Sequence, residues 1–484
     1  MGVAGVCQVT IDARDPCSCH APTSVKCMTP RSIPAFLKAL ADIVGSTHVI
    51  TDVEVKAGYE TDWTGRFTGT ALAVVRPAST DEVAAVVALC AKHQVAVVPQ
   101  GGNTGLVGGG VPQDGSIVLS TTRLNFIGTV DPVSAQVAVG AGVTLAAVQE
   151  AVRSQRLDVG VDLASRDSAT IGGLISTNAG GERVIKYGTM RRQVVGLEAV
   201  FADGTVMKHM TGLVKDNTGY DLVRLLAGSE GTLAIITTVL LQLVPLSAKR
   251  TVTILGLPDV STAQSVLANL RPRVPTLTAA ELFLDSGVQL VVEHTGIAPL
   301  MRESHPVYLL LESSDASDAE TPLLFQLEQD SRIRDSVMAS DPSGVARLWN
   351  YREAHSEAVN AHGTPVKLDV ALPAAALPTF MNALPTIIER IAPDAHVFMW
   401  GHLAESNLHV NIVHGDEHGE LLTDAVLDIV MRSGGSISAE HGVGRAKAPW
   451  LAQARSEPEY AAMKAIKKAL DPKGVLNPGV LFPA

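Results

Sequence analysis

Two histidines, His402 and His409, flank a short polar break between two apolar runs in Gly401-His402-Leu403-Ala404-Glu405-Ser406-Asn407-Leu408-His409-Val410-Asn411. With Glu405-Ser406 as a two-residue turn, this stretch is a hairpin. Ala404 then faces Asn407, Leu403 faces Leu408, and His402 faces His409. Directly opposed residues on one face have Cβ atoms roughly 5 Å apart. One divalent ion can bridge two imidazoles so placed. Asn411 falls two residues beyond His409, on the same face. Downstream, Ser438-Ala439-Glu440-His441-Gly442 supplies a carboxylate and another imidazole. Glu440 as third ligand leaves an open position, as catalytic metal sites require. His441 remains as a nearby acid/base group. For either hairpin histidine alone, a buried structural role is the competing reading.

Three glycine-rich stretches lie upstream. Val97-Val98-Pro99-Gln100-Gly101-Gly102-Asn103-Thr104-Gly105-Leu106-Val107-Gly108-Gly109-Gly110 follows an apolar run. Glycines let backbone N–H groups crowd around an anion without Cβ obstruction. The spacing fits neither G-x-G-x-x-G nor G-x-x-x-x-G-K-[ST], which excludes the Rossmann and P-loop readings. Ala169-Thr170-Ile171-Gly172-Gly173-Leu174-Ile175-Ser176-Thr177-Asn178-Ala179-Gly180-Gly181 is the second, and Gly228-Ser229-Glu230-Gly231-Thr232 opens the third. Together they point to an extended cofactor with a diphosphate.

The elements that must carry these groups are mixed. Thr80-Asp81-Glu82 predicts a helix start before Val83, Val86, Val87 and Cys90. Phe36–Val44 and Leu145–Val152 have helical apolar spacing. Val95–Val98, Ile117–Ser120 and Gln136–Val139 predict strands. Further on, Val307–Glu312, Val366–Val370 and His396–Met399 predict strands, and Leu348–Ala358 and Leu377–Ile391 predict helices. Residues 1–29 are predicted as a disordered extension, and the Ser313-to-Glu320 stretch as a polar connector. The pattern is α+β, and 484 residues suit two domains.

Composition narrows the function. With 38 basic and 49 acidic residues, the net charge is −11, which disfavours a general nucleic-acid surface. An anionic substrate then needs a local basic cluster. No uninterrupted apolar run reaches the length of a transmembrane helix. Cys7, Cys17, Cys19 and Cys27 precede Met28, and Cys90 is alone in the rest. Nothing indicates a disulfide framework, and a cytoplasmic location fits.

These stretches, with Lys186-Tyr187-Gly188 and Asp471 to Gly479, resemble the FAD-linked oxidases of the vanillyl-alcohol oxidase superfamily, and within it the D-2-hydroxy acid dehydrogenases. The likeness runs from about residue 30 to residue 482. It implies a two-subdomain FAD-binding domain over 30–250 and an antiparallel-sheet substrate (cap) domain over 251–435. Residues 436–484 then return to the flavin domain. It assigns FAD to Pro99, Gly101, Gly102, Asn103, Thr104, Gly105, Leu106, Ser168, Ala169, Thr170, Gly172, Gly173, Asn178, Gly180, Gly181, Tyr187, Gly188, Gly231, Ile235 and Asn477. Binding is expected to be noncovalent, because no histidine occurs from Pro99 to Gly110.

It also implies a divalent metal, zinc by preference, on His402, His409 and Glu440. His441 is then the catalytic base. In Trp349-Asn350-Tyr351-Arg352-Glu353, Arg352 matches a substrate-carboxylate position, as does Lys367. Ser356 stands where the hydroxyglutarate branch uses Thr, and Asn411 orients the substrate. Without the resemblance, Arg352 reads as a salt bridge with Glu353 or another surface acid.

One departure is Ala404-Glu405-Ser406-Asn407 in place of Gly-Asp-Gly-Asn, whose Asp-Gly favours a tight turn. The expected reaction is oxidation of a D-2-hydroxy acid, D-2-hydroxyglutarate by preference, with electrons passed to an external acceptor. A homodimer is compatible with the chain. D-lactate dehydrogenase and the glycolate oxidase FAD subunit are the near alternatives. A metallohydrolase using the His/His/Glu site is the alternative from another class.

Overall fold

The computed structural model describes residues 32–247, 249–314, 327 and 330–483. The expected N-terminal extension and most of the Ser313–Glu320 connector lie outside them.

Strands β1 (Val49–Ile50), β2 (Ala71–Val75), β3 (Val97–Gln100) and β4 (Ser116–Ser120) form a sheet in the order β1-β2-β4-β3. β4 runs parallel to both β2 and β3. Helix Thr80–His93 begins at Thr80, as Thr80-Asp81-Glu82 predicts, and Ser79 is the cap, its hydroxyl accepting the N–H of Glu82. Next come β5 (Gln136–Gly140), β6 (Leu157–Asp158), β7 (Val194–Val200), β8 (Val206–His209), β9 (Ile235–Gln242) and β10 (Val244–Pro245). Four of these make an antiparallel sheet, β5-β9-β7-β8. Val97, Leu119, Val139, Ile171, Leu197 and Val239 share one core with Val475 and Leu476. The C-terminal segment thus returns beside β3: the Val97 N–H donates to Val475 O at 2.8 Å, and the Asn477 N–H to Val97 O at 2.9 Å.

A seven-stranded antiparallel sheet follows. Its strands are β11 (Thr251–Leu257), β12 (Leu277–Leu284), β13 (Val307–Ser313), β14 (Asp335–Ala339), β15 (Val366–Ala371), β16 (His396–His402) and β17 (Asn407–Val413). Their order is β14-β11-β13-β12-β16-β17-β15. Successive side chains alternate between faces. Leu282, Leu309, Leu311, Leu368, Val370, Leu408 and Val410 point to one face, under helices Val260–Leu270, Leu377–Ile391 and Gly419–Arg432. Phe283, Tyr308, Leu310, Phe398 and Trp400 point to the other, against helices Pro342–Glu353 and His355–His362. The region expected to be one helix from Leu348 to Ala358 is therefore two, joined at Ala354. By the same alternation, the second face carries Glu281, Lys367, Asp369, His402, His409 and Asn411.

The β16–β17 turn corrects the expected hairpin. Trp400, not His402, is the residue opposite His409. The connection is a 3-10 turn, Leu403–Glu405, followed by Ser406 with φ 53°. Glu-Ser does not suit a turn needing positive φ at both central positions, so the chain takes a wider one. The register shift is two residues. A one-residue slip would have sent the histidines to opposite faces, whereas a shift of two keeps them together. Their rings are diagonal neighbours, 5.5 Å apart.

Leu309 is fully buried on the central strand β13. Leu309→Ala is expected to destabilise this sheet by about 3 kcal/mol through the cavity it leaves. Denaturant unfolding followed by tryptophan fluorescence measures this, because Trp349 and Trp400 lie in the same sheet's core.

Candidate active site

Glu281 on β12 lies directly opposite His402 on β16. Its side chain is fully buried, and it holds two cationic groups. Oε1 is 2.6 Å from His402 Nδ1, and Oε2 accepts from Arg352 Nε at 2.8 Å. Arg352 sits in the last turn of Pro342–Glu353. Its acidic partner is thus this buried glutamate rather than Glu353 or a surface acid. Among the described residues only Nε is engaged, which leaves its terminal amino groups for a further carboxylate. Burial disfavours a charged His402, but Glu281 and Glu440 outweigh it and hold the imidazole well above its ordinary range.

Asp369 on β15 lies opposite His409 on β17. Its Oδ2 accepts the backbone N–H groups of Ala439, Glu440 and His441 at 3.1, 2.9 and 3.0 Å. Its Oδ1 accepts from Asn407 Nδ2 at 2.7 Å. Burial alone would raise its pKa. His441 and Lys447 outweigh that and keep it below the usual carboxylate range. Three successive N–H groups curled round one anion form a nest. That nest fixes where Glu440 and His441 point.

Glu440 is the meeting point. Its Oε1 lies 3.6 Å from His402 Nε2, 3.5 Å from His409 Nε2 and 3.6 Å from His441 Nε2. Its Oε2 accepts the Gly181 N–H at 3.1 Å, from the second glycine stretch. Burial opposes its charge, but His402, His409 and His441 hold it well below the ordinary range. His409 is pushed down to about 3 by burial, against the pull of Glu440 and Asp369. The His409 and His441 rings stack 5.4 Å apart, inclined by 10°. His441 is the most open of the three, with 27% of its side chain exposed against 13% for His409 and 7% for His402.

The donor set suits a divalent cation. Ligand atoms around an ion at 2.0–2.1 Å lie roughly 3.3 Å from one another, and Glu440 Oε1 stands close to that distance from each Nε2. Each Nδ1 faces a carboxylate: Glu281 behind His402, and Asp369 at 3.6 Å from His409 and 3.8 Å from His441. Such backing turns Nε2 into the free donor. Asp369, His409, Glu440 and His441 also form a compact group, with ligand atoms within 4.8 Å of one another. Asp369 already accepts four hydrogen bonds, so orienting the histidines suits it better than direct ligation. That compact group takes in His441 and leaves out His402, so it is exposure rather than distance that marks His441 as the base.

The three glycine stretches converge on one another. A Cβ on Gly101 would lie 2.1 Å from Thr170 Oγ1, and one on Gly102 1.8 Å from Ser168 O. One on Gly231 would lie 2.4 Å from Pro99 Cγ. Gly105 has open space above it. Asn103, Asn178 and Asn477 take positive φ, as do Gly181, Gly188 and Gly231. Asn477 Nδ2 donates to Gly109 O and Glu230 O, while its buried Oδ1 has no partner among the described residues. This close-packed glycine cradle fits a phosphate-bearing cofactor, and the Asn477 oxygen can accept from an N–H or O–H group elsewhere on it. Thr104 and Leu106 stand beside Gly105, Ala169 and Gly172 are buried, and Gly173 donates its N–H to Thr170 Oγ1 at 3.4 Å. Gly180 packs against Val184, Tyr187 ends a short helix, and Ile235 opens β9.

Of the remaining sequence candidates, Lys367 and Asn411 face each other across β15 and β17. Ser356 is exposed in the first turn of His355–His362. Glu281, Asp369, Glu230 and Lys447 were missed. Glu230 accepts the N–H groups of Val443 and Gly444, both at 2.8 Å, and burial pushes its pKa up to about 6. Buried Lys447 donates to Asp369 O at 3.0 Å. Alternation in Val366-Lys367-Leu368-Asp369 offered a signal for Asp369. Glu281 had none, being 121 residues from His402.

A family model described as FAD binding domain matches residues 71–209, and one described as FAD linked oxidases, C-terminal domain, matches residues 246–481. A D-2-hydroxyglutarate dehydrogenase of Xanthomonas citri pv. viticola is 39% identical over 437 residues, covering 88% of this chain and 92% of that protein. The mitochondrial D-2-hydroxyglutarate dehydrogenase of Bos taurus is 35% identical over 491 residues, covering 97% and 89%. Among solved structures, p-cresol methylhydroxylase with substrate bound superposes with a TM-score of 0.76 at 15% identity, over 94% of this chain and 98% of that one. That likeness is one of fold. Among the described residues, no helix is long and apolar enough to cross a membrane.

Asp369→Asn is expected to cost about 3 kcal/mol, because a buried anion that organises several donors is lost. Limited proteolysis should then cut near residue 440 in the variant and spare the wild type. Equal stability and equal protection would show that the loop holds itself.

Proposed function

Because the chain belongs to the FAD-linked oxidases, in the branch of the D-2-hydroxyglutarate dehydrogenases, we propose that D-2-hydroxyglutarate or a close D-2-hydroxy dicarboxylate is its substrate. The protein is an FAD-dependent dehydrogenase of D-2-hydroxy acids, and the product is the 2-oxo acid. The observation that carries the assignment to this site is the convergence of three imidazole Nε2 atoms on Glu440, which also touches the second glycine stretch through Gly181.

FAD, when bound, would supply the hydride acceptor, and His402, His409 and Glu440 would hold a divalent ion, zinc by preference, which would supply Lewis acidity for deprotonating the substrate. The protein's own groups do the rest. His441 takes the hydroxyl proton at Nε2, and Asp369 behind Nδ1 keeps the ring in the tautomer that can accept it. Arg352, held through Nε by Glu281, offers its outer amino groups to a carboxylate in the paired geometry of a guanidinium. Lys367 and Asn411 continue the polar face and orient the substrate chain. Fixing the carboxylate fixes the direction in which C2 presents its hydrogen.

The glycine cradle with Asn477 holds FAD noncovalently. The chain contains no CxxC or haem-attachment pattern, which favours an external electron acceptor. A cytoplasmic location belongs to the same reading and is supported by the sparse cysteines, although the Bos taurus relative is mitochondrial by name.

Dye reduction by the purified flavoprotein with a panel of D- and L-2-hydroxy acids tests the substrate. Chelation is expected to abolish turnover while FAD stays bound, and full activity in protein shown to be metal-free by elemental analysis would refute the metal's role.

His441→Asn should keep FAD and metal yet lose kcat by on the order of 10² to 10⁴. An unchanged kcat would make His441 structural.

A further inference from the structure

Three further histidines stand together at the open end of the β16–β17 hairpin. His396 begins β16 and pairs with Val413, the last residue of β17. His414 follows directly, and His362 ends helix His355–His362. Their ring centroids lie 5.1 Å apart for His362–His414, 5.9 Å for His396–His414 and 6.2 Å for His362–His396. The whole length of β16 separates His396 from His402, roughly 20 Å of strand. The cluster is therefore distinct from the site around Glu440.

The backbone gathers these rings. Alternation puts His396 on the face that carries Phe398, Trp400 and His402. It would turn His414 the other way. Instead His414 has φ 59°, which few residues other than glycine adopt, and its ring joins the cluster. Gly363 makes the room, since a Cβ there would lie 3.2 Å from His414 Cε1. The His362 ring stands edge-on to Phe398, 5.9 Å away. All three histidines are exposed, and among the described residues none of their rings has a hydrogen bond or an ion pair. Three imidazoles on one tetrahedral ion have ring centroids roughly 5 Å apart. The rings around Glu440 are spaced alike, at 5.5 Å for His402–His409 and 5.4 Å for His409–His441. The nitrogens of the outer three do not yet stand within 4.8 Å of one another, as the ligand atoms of Asp369, His409, Glu440 and His441 do. Exposed side chains turn freely, and closing the widest pair takes a movement of about 1 Å.

We propose that His362, His396 and His414 form a second site for a divalent transition cation of the zinc class, which clamps the end of helix His355–His362 to the open end of the β16–β17 hairpin. Imidazole donors select zinc, copper or nickel over magnesium and calcium, and water completes the coordination. Among the described residues no carboxylate backs any of these rings, which lowers affinity by on the order of 10 to 100-fold relative to a backed site. The outer ion therefore exchanges with solvent, and its occupancy follows the metal available.

The test uses the FAD-loaded full chain, stripped with a chelator and dialysed against micromolar free zinc, with magnesium as the control. Zinc per chain is measured by elemental analysis in wild type, His362→Ala, His396→Ala and His414→Asn. Asparagine tolerates the positive φ at residue 414. Each variant is expected to hold about one zinc fewer than wild type, because the remaining two imidazoles do not complete a site. None of the three substitutions touches the residues around Glu440, so the difference counts the outer ion whether or not the inner site is filled. Zinc should also raise the melting temperature of wild type by more than that of the variants, and magnesium should raise neither. Equal zinc content in wild type and the variants overturns the proposal. A melting temperature lowered equally with and without zinc assigns the rings to packing and overturns it as well.

Discussion

The site depends on one buried carboxylate that gathers three consecutive backbone N–H groups. Asp369 stands on a strand of the seven-stranded sheet, but what it holds is a loop with no regular structure. Left alone, a buried carboxylate costs several kcal/mol. Here the N–H groups of residues 439 to 441, the Asn407 amide and the nearby Lys447 cation offset that cost. Glu230 repeats the arrangement from the flavin side with residues 443 and 444. Between two such anchors the loop has little freedom. Glu440 and His441 can then be placed to within the tolerance that proton and hydride chemistry requires.

The second constraint is the period of two. Alternation divides each strand of the large sheet into a side that packs under three helices and a side that carries Glu281, Lys367, Asp369, His402, His409 and Asn411. The same sequences therefore build the core and the chemistry. Wherever a strand places Leu408 or Val410 inside, it must place His409 on the opposite face.

Much of this was legible in the residues, for identifiable reasons. The two histidines could be grouped because a hairpin relates residues close in sequence, and Glu440 joined them from its own downstream Glu-His pair. The detail failed at the turn, where Glu405-Ser406 demanded a wider connection, yet a shift of two residues left the facing intact. The glycine stretches announced close backbone approach but not its partners. Only the folded chain sets Gly101 against Thr170 and Gly231 against Pro99. Glu281 was illegible because its strand reads as a plain apolar run with one acid, and its meaning arises from pairing across 121 residues. Arg352 was visible as a cation, but not the buried acid that aims it.

That buried acid has a thermodynamic consequence. Glu281 is shared between the Arg352 guanidinium and the His402 imidazole. An anion that draws Arg352 outward leaves Glu281 more fully to His402, which makes the far nitrogen of that ring a better electron donor. Occupancy at either end thus changes the affinity at the other. Linkage requires the effect to be equal in both directions. Were that ring to hold an ion and that guanidinium an acid, the two would be cooperative through one side chain, and a weakness at one end would be felt as a deficit at the other.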